Sequence, residues 1–480
     1  MSEALKAKPT KYYVHMAVIL ALMIGVGFLP PFGTISAYGM RILGIFLGCI
    51  YAWTVGEMIW PSILALLLMS LSGNNSIATV MGSAYGHSTL LMVVFALLYC
   101  YAIANTGVLE ILSKRLLSMK FAQKGPWFLA LAFFATSSIV SAIIMNGLPT
   151  MLLLWSIFYD VSAQIGEKPY SKYTTLVMIG IVICGYAGAV VFPFQLFTLT
   201  AVGVLQAVMP GATIQPLSYI IVMVVLNIAV VCALTLVFKL VCGKVEFKPV
   251  AIDASNLKMT TRQKIALGSI PVFALLLILP TFLPADNILC IMLTRLGTLG
   301  VIMLMPVVLM MMTYKREQFL DINDGMMHGV MWKLVFLLAT ALALSSAICS
   351  AETGISVMLS NLVAPLLAGK SAFAVIAIIV GASTIITNCI NNIVTLTLLT
   401  PIMYTYVTAA GGDPLVAVTL MAFTCLQGVV MPAGSACGAM MHGNTEWLKP
   451  GMIYKYATIG EIVLTLCAVV IGVPVAMAIV

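Results

Sequence analysis

Apolar stretches of about 20 residues recur from one end of this chain to the other, each long enough as a helix to cross a hydrocarbon core of roughly 30 Å. Within hydrocarbon a backbone must satisfy its own N–H and C=O groups, so spans of this length belong to helices. The composition agrees: 62% of the residues are apolar and 8% are charged, against about 25% charged in an ordinary soluble domain. The expected fold is an all-α polytopic membrane protein. The first run, 12 to 29, follows Lys6, Lys8 and Lys11. It is longer than a signal-peptide core and lacks a small-residue cleavage pattern before Pro30, so it reads as a retained first helix.

The net charge of +8 is spread along the loops rather than gathered in one patch, which argues against a nucleic-acid partner. The eleven cysteines show no CxxC or Cys/His metal spacing and lie mostly inside apolar runs, where they read as packing residues. The basic residues encode topology instead. Runs at 12–29, 39–54, 58–72 and 88–108 lead to a loop with Lys114, Arg115, Lys120 and Lys124. A stretch of nearly 40 residues, 127–165, then has lysines at both ends and a break near Asn146, Gly147 and Pro149, the pattern of a re-entrant hairpin. Runs at 174–205 and 216–240 reach a basic linker around 249–265.

The second half repeats the plan: runs at 266–284, 287–313 and 334–350, a short interfacial helix at 355–368, and a second broken stretch at 371–409 interrupted at Asn388, Asn391 and Asn392. Runs at 414–443 and 452–479 close the chain. With the N-terminus in the cytoplasm, all but three of the 23 Lys and Arg residues fall inside, the exceptions being Arg41, Arg295 and Lys370. The two hairpins then enter from opposite faces, so the halves form an inverted repeat with a site expected at the midplane.

Four breaks carry the chemistry: the tips SAIIMNGLPT (141–150) and TNCINNIVT (387–395), and the interruptions ICGYAGAVVFPFQ (183–195) and MPAGSACGAMMHG (431–443). Half-helix N-termini at such breaks offer free N–H groups to an anion, and Asn, Ser and Thr side chains with freed carbonyls offer oxygens to sodium. Ser141 lies five residues before Asn146, and Thr387 five before Asn392, a matched spacing expected of two related cation sites. The same residue types also serve close helix packing and interhelical hydrogen bonding. Glu57 reads as structural. Glu461, within the last run, fits either a proton relay or a packing hydrogen bond. His442 reads as a packing or gating residue, and Asn74 formally matches a glycosylation sequon.

At these residues the chain resembles the divalent anion/sodium symporter family of dicarboxylate, citrate and sulfate carriers, over almost its whole length. AWTVGEMIWPSILALLL (52–68) is similar to that family's Trp-x-x-Glu-x-x-Pro segment, and MPAGSACGAMMHG has the length and flanks of its Leu-Pro-Val-Ala-Thr-Pro-Pro-Asn segment. The family's Ser-Asn-Thr tips become Met145-Asn146-Gly147 and Asn391-Asn392-Ile393: both asparagines are kept and both threonines lost. Pro401 keeps the family's proline nine residues after Asn392, whereas Trp155 stands at that place after Asn146.

The resemblance implies an elevator-type, homodimeric carrier in the cell (inner) membrane, with about 11 transmembrane helices plus two oppositely oriented re-entrant hairpins. It implies scaffold helices at 1–124 and 266–368, and transport-domain hairpins and broken helices at 125–248 and 369–480. It further implies sodium-coupled uptake of a small organic anion such as a dicarboxylate. Substrate contacts are expected from Asn146, Gly147, Asn391, Asn392 and Ser435, and sodium contacts from Ser141, Asn146 and Gly185 in one half and Thr387, Asn392 and Gly434 in the other. A sodium-independent carboxylate exchanger, or a carrier of an oxyanion such as sulfate, fits the same pattern. A channel is a remoter alternative. No nucleophile, acid pair or metal constellation points to an enzyme.

Overall fold

The structure, a computed structural model, describes residues 10–73, 75–245, 247, 258–284, 286–367, 369–432 and 434–480. The sequon asparagine Asn74, the leading Lys6 and Lys8, and 249–257 of the linker lie outside the described residues. Eleven described helices are long and apolar enough to cross a membrane, and one further pair is bent by 44° at a short break.

The first group comprises α1 (Thr10–Leu20, continued by a π turn and a 3-10 turn to Phe28), α2 (Ala37–Thr54) and α3 (Ile59–Ser72). The bent pair α4 (Ile77–Tyr85) and α5 (Ser88–Ala104) follows. The segment carrying Lys114 and Arg115, expected as loop, is the helix α6 (Val108–Leu117). It buries Leu109 and Leu117 and pairs Glu110 with Lys114 one turn on, at 2.7 Å, which is the amphipathic pattern of a surface helix.

The first hairpin is α7 (Pro126–Ile144) and α8 (Gly147–Ile165), joined by Met145 and Asn146. Phe133 and Phe158, equally far from the tip, meet edge to face with ring centroids 5.2 Å apart, so the arms run antiparallel. A broken pair, α9 (Lys172–Ala189) and α10 (Leu196–Gln206), leads to α11 (Pro216–Cys242). Glycines set how closely α9 lies on α7: a Cβ on Gly188 would meet the Ser138 carbonyl oxygen at 2.1 Å, and one on Gly180 would meet the Phe134 ring at 2.1 Å.

The second half begins with α12 (Thr261–Ile278), started by a capping box of Thr260 and Gln263, and α13 (Ile288–Met311). A two-residue hairpin at 313–318, turned by Lys315 and Arg316 at positive φ, and the single turn α14 (Ile322–Asp324) lead to α15 (Trp332–Cys349) and α16 (Ile355–Leu367). The second hairpin, α17 (Ala372–Cys389) and α18 (Asn392–Ala409), is joined by Ile390 and Asn391. A Cβ on Gly412, just past α18, would lie 2.9 Å from the Ala372 Cβ at the start of α17, so this pair also doubles back. The broken pair α19 (Pro414–Cys425) and α20 (Ala436–Gly443) follows, and then α21 (Pro450–Cys467) and α22 (Val473–Ile479).

Each hairpin is tied to the long helix that closes its own half. Ser138 Oγ donates to Asn227 Oδ1 on α11 at 2.9 Å, and the hydroxyls of Thr384 and Thr465 on α21 lie 3.1 Å apart. Two hydrophobic cores result. One gathers residues of α7, α8, α9, α11, α17, α19 and α21; the other gathers α2, α3, α5, α13 and α15 with the tip residues Ile144, Met145, Ile393 and Val394.

Candidate functional site

Where the two cores meet, a cavity of about 470 Å³ opens among α5, both hairpin tips, the break between α9 and α10, and the start of α20. That volume suits a small organic molecule. All five residues expected to touch substrate line it: Asn146, Gly147, Asn391, Asn392 and Ser435. Among the described residues its wall holds no Lys, Arg, Asp or Glu. The rim carries His328, whose Nδ1 lies 2.8 Å from Asp324 Oδ1, while Tyr101 Oη donates to Asp324 Oδ2 at 2.6 Å. These bonds, Tyr101 foremost, hold the Asp324 carboxyl below the usual carboxylate range. The link is thus complete above the ordinary carboxylate pKa and lost only as pH falls through the lowered value.

The helix starts facing this region carry side-chain caps, which take one or two of the free N–H groups expected at each. Leu148 N donates to Asn146 Oδ1 at 3.1 Å and Ile393 N to Asn391 Oδ1 at 2.9 Å. Phe197 N donates to Gln195 Oε1 at 2.7 Å, and Gly438 N to Ser435 Oγ at 3.1 Å. Short polar side chains compete well for such groups, so a helix start rich in Asn and Ser caps itself. An anion here meets side-chain amides and hydroxyls as well as the remaining helix-end N–H groups.

The two tips also differ. In the first, Asn146 is the N-cap and Met145 is left-handed (φ 49°); in the second the N-cap is Asn391 and Ile390 is extended. The equal spacing of Ser141–Asn146 and Thr387–Asn392 thus sits in registers one residue apart.

Around Asn392 the oxygens converge. Thr387 Oγ1 donates to Cys425 O at 2.5 Å and lies 2.8 Å from Asn392 Oδ1. With its amide swapped, Asn392 instead donates to Thr387 Oγ1 at 2.8 Å, Gly434 O at 2.9 Å and Cys425 O at 3.2 Å. A Cβ on Gly428 would lie 2.7 Å from Thr387 O, and one on Gly434 would lie 2.8 Å from Gly428 O. Three oxygens, Thr387 Oγ1, Cys425 O and Gly434 O, thus surround one asparagine amide, and Thr387 O and Gly428 O lie beside the glycines of the same break. This donor set suits a hard cation.

In the first half the cluster is sparser. Ser141 Oγ is fully buried and has no hydrogen-bond partner among the described residues. A Cβ on Gly185 would lie 2.8 Å from Ser137 Oγ, 3.3 Å from Ser141 Oγ and 3.9 Å from Gly147 O. Ser137 Oγ donates to Ile181 O at 2.6 Å, and the Asn146 oxygen accepts from Leu148 N.

Sequence reading missed three participants. Asn388 Nδ2 donates to Glu461 Oε2 at 2.6 Å, Val429 N to Glu461 Oε1 at 3.1 Å, and Val430 N to Asn388 Oδ1 at 2.8 Å, so the buried acid pins the break before α20. The buried Gln427 has neither amide atom bonded among the described residues. Tyr186 lines the cavity and accepts from Cys437 N at 3.3 Å. Of these, the lone acid in an apolar helix was visible in sequence, and Asn388 was read there only as an interruption of the second broken stretch. His442 Nε2 lies 2.9 Å from Val430 O, and Glu57 accepts from the Trp60 indole at 3.0 Å, both contacts within the framework.

A multi-pass helical bundle with a polar-tipped cavity between two cores suits a membrane carrier. A sequence profile of the citrate transporter family (CitMHS) matches residues 11–426, and the chain belongs to that family. Its fold is similar to that of the YdaH transporter of Alcanivorax borkumensis, with a TM-score of 0.55 and 11% identity over 82% of this chain and 87% of that one. It is also similar to MtrF of Neisseria gonorrhoeae, described as illuminating a class of antimetabolite efflux pumps, with a TM-score of 0.56 and 12% identity over 95% and 97% of the two chains. No individually curated protein matches the sequence.

Proposed function

We propose that the chain is a secondary active carrier of a small carboxylate, citrate or a dicarboxylate, coupled to sodium. The convergence of oxygens on Asn392 beside the cavity carries this reading. Among the described residues the cavity wall offers no Lys or Arg to an anion, so a bound cation would supply the missing positive charge and make the two bind together. Sodium would be held by Thr387, Asn392 and the carbonyls of Cys425, Gly428 and Gly434, and a second ion by Ser141 and its neighbours at Gly185. The carboxylate would meet Asn146, Gly147, Asn391, Asn392 and Ser435. The match to citrate transporters favours citrate, and the resemblance to dicarboxylate carriers makes succinate the first competitor to try.

The two hydrophobic cores support a scaffold formed by the first four membrane runs and those of 266–368, and a transport domain of both hairpins and the broken helices after them. The parallel ties from each hairpin to the last helix of its half support a repeat, and the distribution of basic residues supports its inversion and a cytoplasmic N-terminus. The transport domain would slide as an elevator within a homodimer in the inner membrane. Glu461 favours a second reading, in which a proton replaces or joins sodium, because this buried acid touches the same break that forms the cation cluster.

The reading is tested by uptake of labelled citrate into proteoliposomes, with sodium, potassium or lithium outside, with and without an inward proton gradient, and with excess unlabelled succinate or sulfate. Sodium-stimulated uptake blocked by carboxylates is expected. Uptake driven by the proton gradient alone would select the second reading, and competition by sulfate alone would overturn the substrate class. Gly185→Ala, which places a methyl among Ser137, Ser141 and Gly147, is expected to raise the half-saturating sodium concentration about tenfold or more. An unchanged value would remove the first-half cluster from the account.

A further inference from the structure

We infer that Tyr186 is a substrate-contacting specificity residue, its phenolic O–H donating to a carboxylate oxygen of the transported anion; this rests on the carboxylate reading above. A carboxylate needs donors, and wall residues whose oxygens are turned back onto helix starts present their N–H and O–H hydrogens to the cavity. The side-chain oxygens of Asn146, Asn391, Gln195 and Ser435 all receive backbone N–H groups of their own helices. Tyr186 is placed in the same way: its oxygen accepts the Cys437 N–H at 3.3 Å, with the Ser435 hydroxyl and the Cys437 thiol as neighbours, and its own O–H is a further donor. Both neighbours are neutral, so an incoming carboxylate, which accepts a stronger charge-assisted bond, outcompetes them for the phenolic hydrogen.

The ring is held in place from two sides. It is buried on α9 and pressed against the first hairpin tip, where a Cβ on Gly147 would meet Tyr186 Cδ1 at 2.6 Å and Cε1 at 3.2 Å. Its hydroxyl reaches the second residue of α20, the helix capped by Ser435. Tyr186 thus spans the cavity wall from the Asn146–Gly147 tip of one half to the Ser435–Ala436 helix start of the other. The N–H it receives polarises the phenol and strengthens it as a donor. A fixed O–H beside side-chain amides recognises a carboxylate by a charge-assisted bond and gains nothing from an ester or amide without an anionic oxygen.

Tyr186→Phe keeps the ring against Gly147 and removes only the hydroxyl. Uptake kinetics in proteoliposomes are expected to show the KM for labelled citrate raised about tenfold to a hundredfold, as for loss of a hydrogen bond to a charged group. kcat and the half-saturating sodium concentration are expected to stay within about twofold, a separation that a merely structural cap on Cys437 would not produce. If the variant reconstitutes poorly, thermal stabilisation of the detergent-solubilised protein by citrate gives the same comparison, with the variant needing about tenfold more citrate. An unchanged KM, or a loss of KM, kcat and sodium dependence together, would overturn the assignment while leaving the carrier reading intact. Failure of the wild type to take up any carboxylate would overturn both.

Discussion

Asn392→Ala is expected to abolish coupled transport while leaving the protein folded and inserted. The substitution removes the amide on which Thr387, Cys425 and Gly434 converge and leaves the backbone oxygens without their central partner. Losing a ligand from such a cluster should weaken cation binding about a hundredfold or more, since even outer-shell changes cost about 10- to 100-fold. The measurement is the half-saturating sodium concentration for citrate uptake, with sodium-dependent thermal stabilisation as a check. Asn146→Ala should act mainly on citrate affinity, because its oxygen caps α8 and the residue lines the cavity. If both alanine variants kept transport and sodium affinity, the site assignment would be wrong.

Glu461→Ala is expected to destabilise the protein by about 1–3 kcal/mol, through lost hydrogen bonds in the core. It takes the Glu461 acceptor from two buried donors: Asn388 Nδ2, which keeps Thr384 O, and the Val429 N–H, which keeps Gln427 O. Glu461→Gln is expected to fall in between. A glutamine oxygen still receives Val429 N, but its NH2 would face Asn388 Nδ2, and Asn388 cannot turn without releasing Val430 N. Thermal melts of the three proteins in detergent should therefore rank wild type, Gln and Ala in that order; coincident melts would mean that the break is held by other contacts. Repeat 1 provides the internal control. Counted from the Ser138–Asn227 tie, the positions matching Asn388 and Glu461 are Ala142 and Met223, so this polar anchor belongs to one half alone.

Much of the fold was legible because a bilayer allows so few backbone solutions. Apolar runs, basic loops and the Asn-Gly-Pro interruption at 146–149 placed the helices and both hairpin tips without reference to packing. The helix α6 was missed because its basic residues read as a loop, although Glu110 and Lys114 at helical spacing were available as a signal. At the site, sequence named the residues that meet but not what they do on meeting. Equal five-residue spacing hid the one-residue slip between the tips, which only the caps Asn146 and Asn391 expose. Tyr186 was invisible because its role depends on Gly147 and Cys437, far from it in the chain. Asn388 was legible as a break but not as an anchor, because its partner Glu461 lies 73 residues away.

The most direct test of the central claim is concentrative transport. Purified protein is reconstituted into proteoliposomes at equal citrate inside and out, and labelled citrate is followed when sodium is raised on one side only. Accumulation toward the low-sodium side, reversed when the sodium gradient is reversed and absent in Asn392→Ala, is the predicted result. Equal distribution of label under every sodium gradient, with rapid exchange in sodium-free buffer, would contradict it and identify an uncoupled carboxylate exchanger.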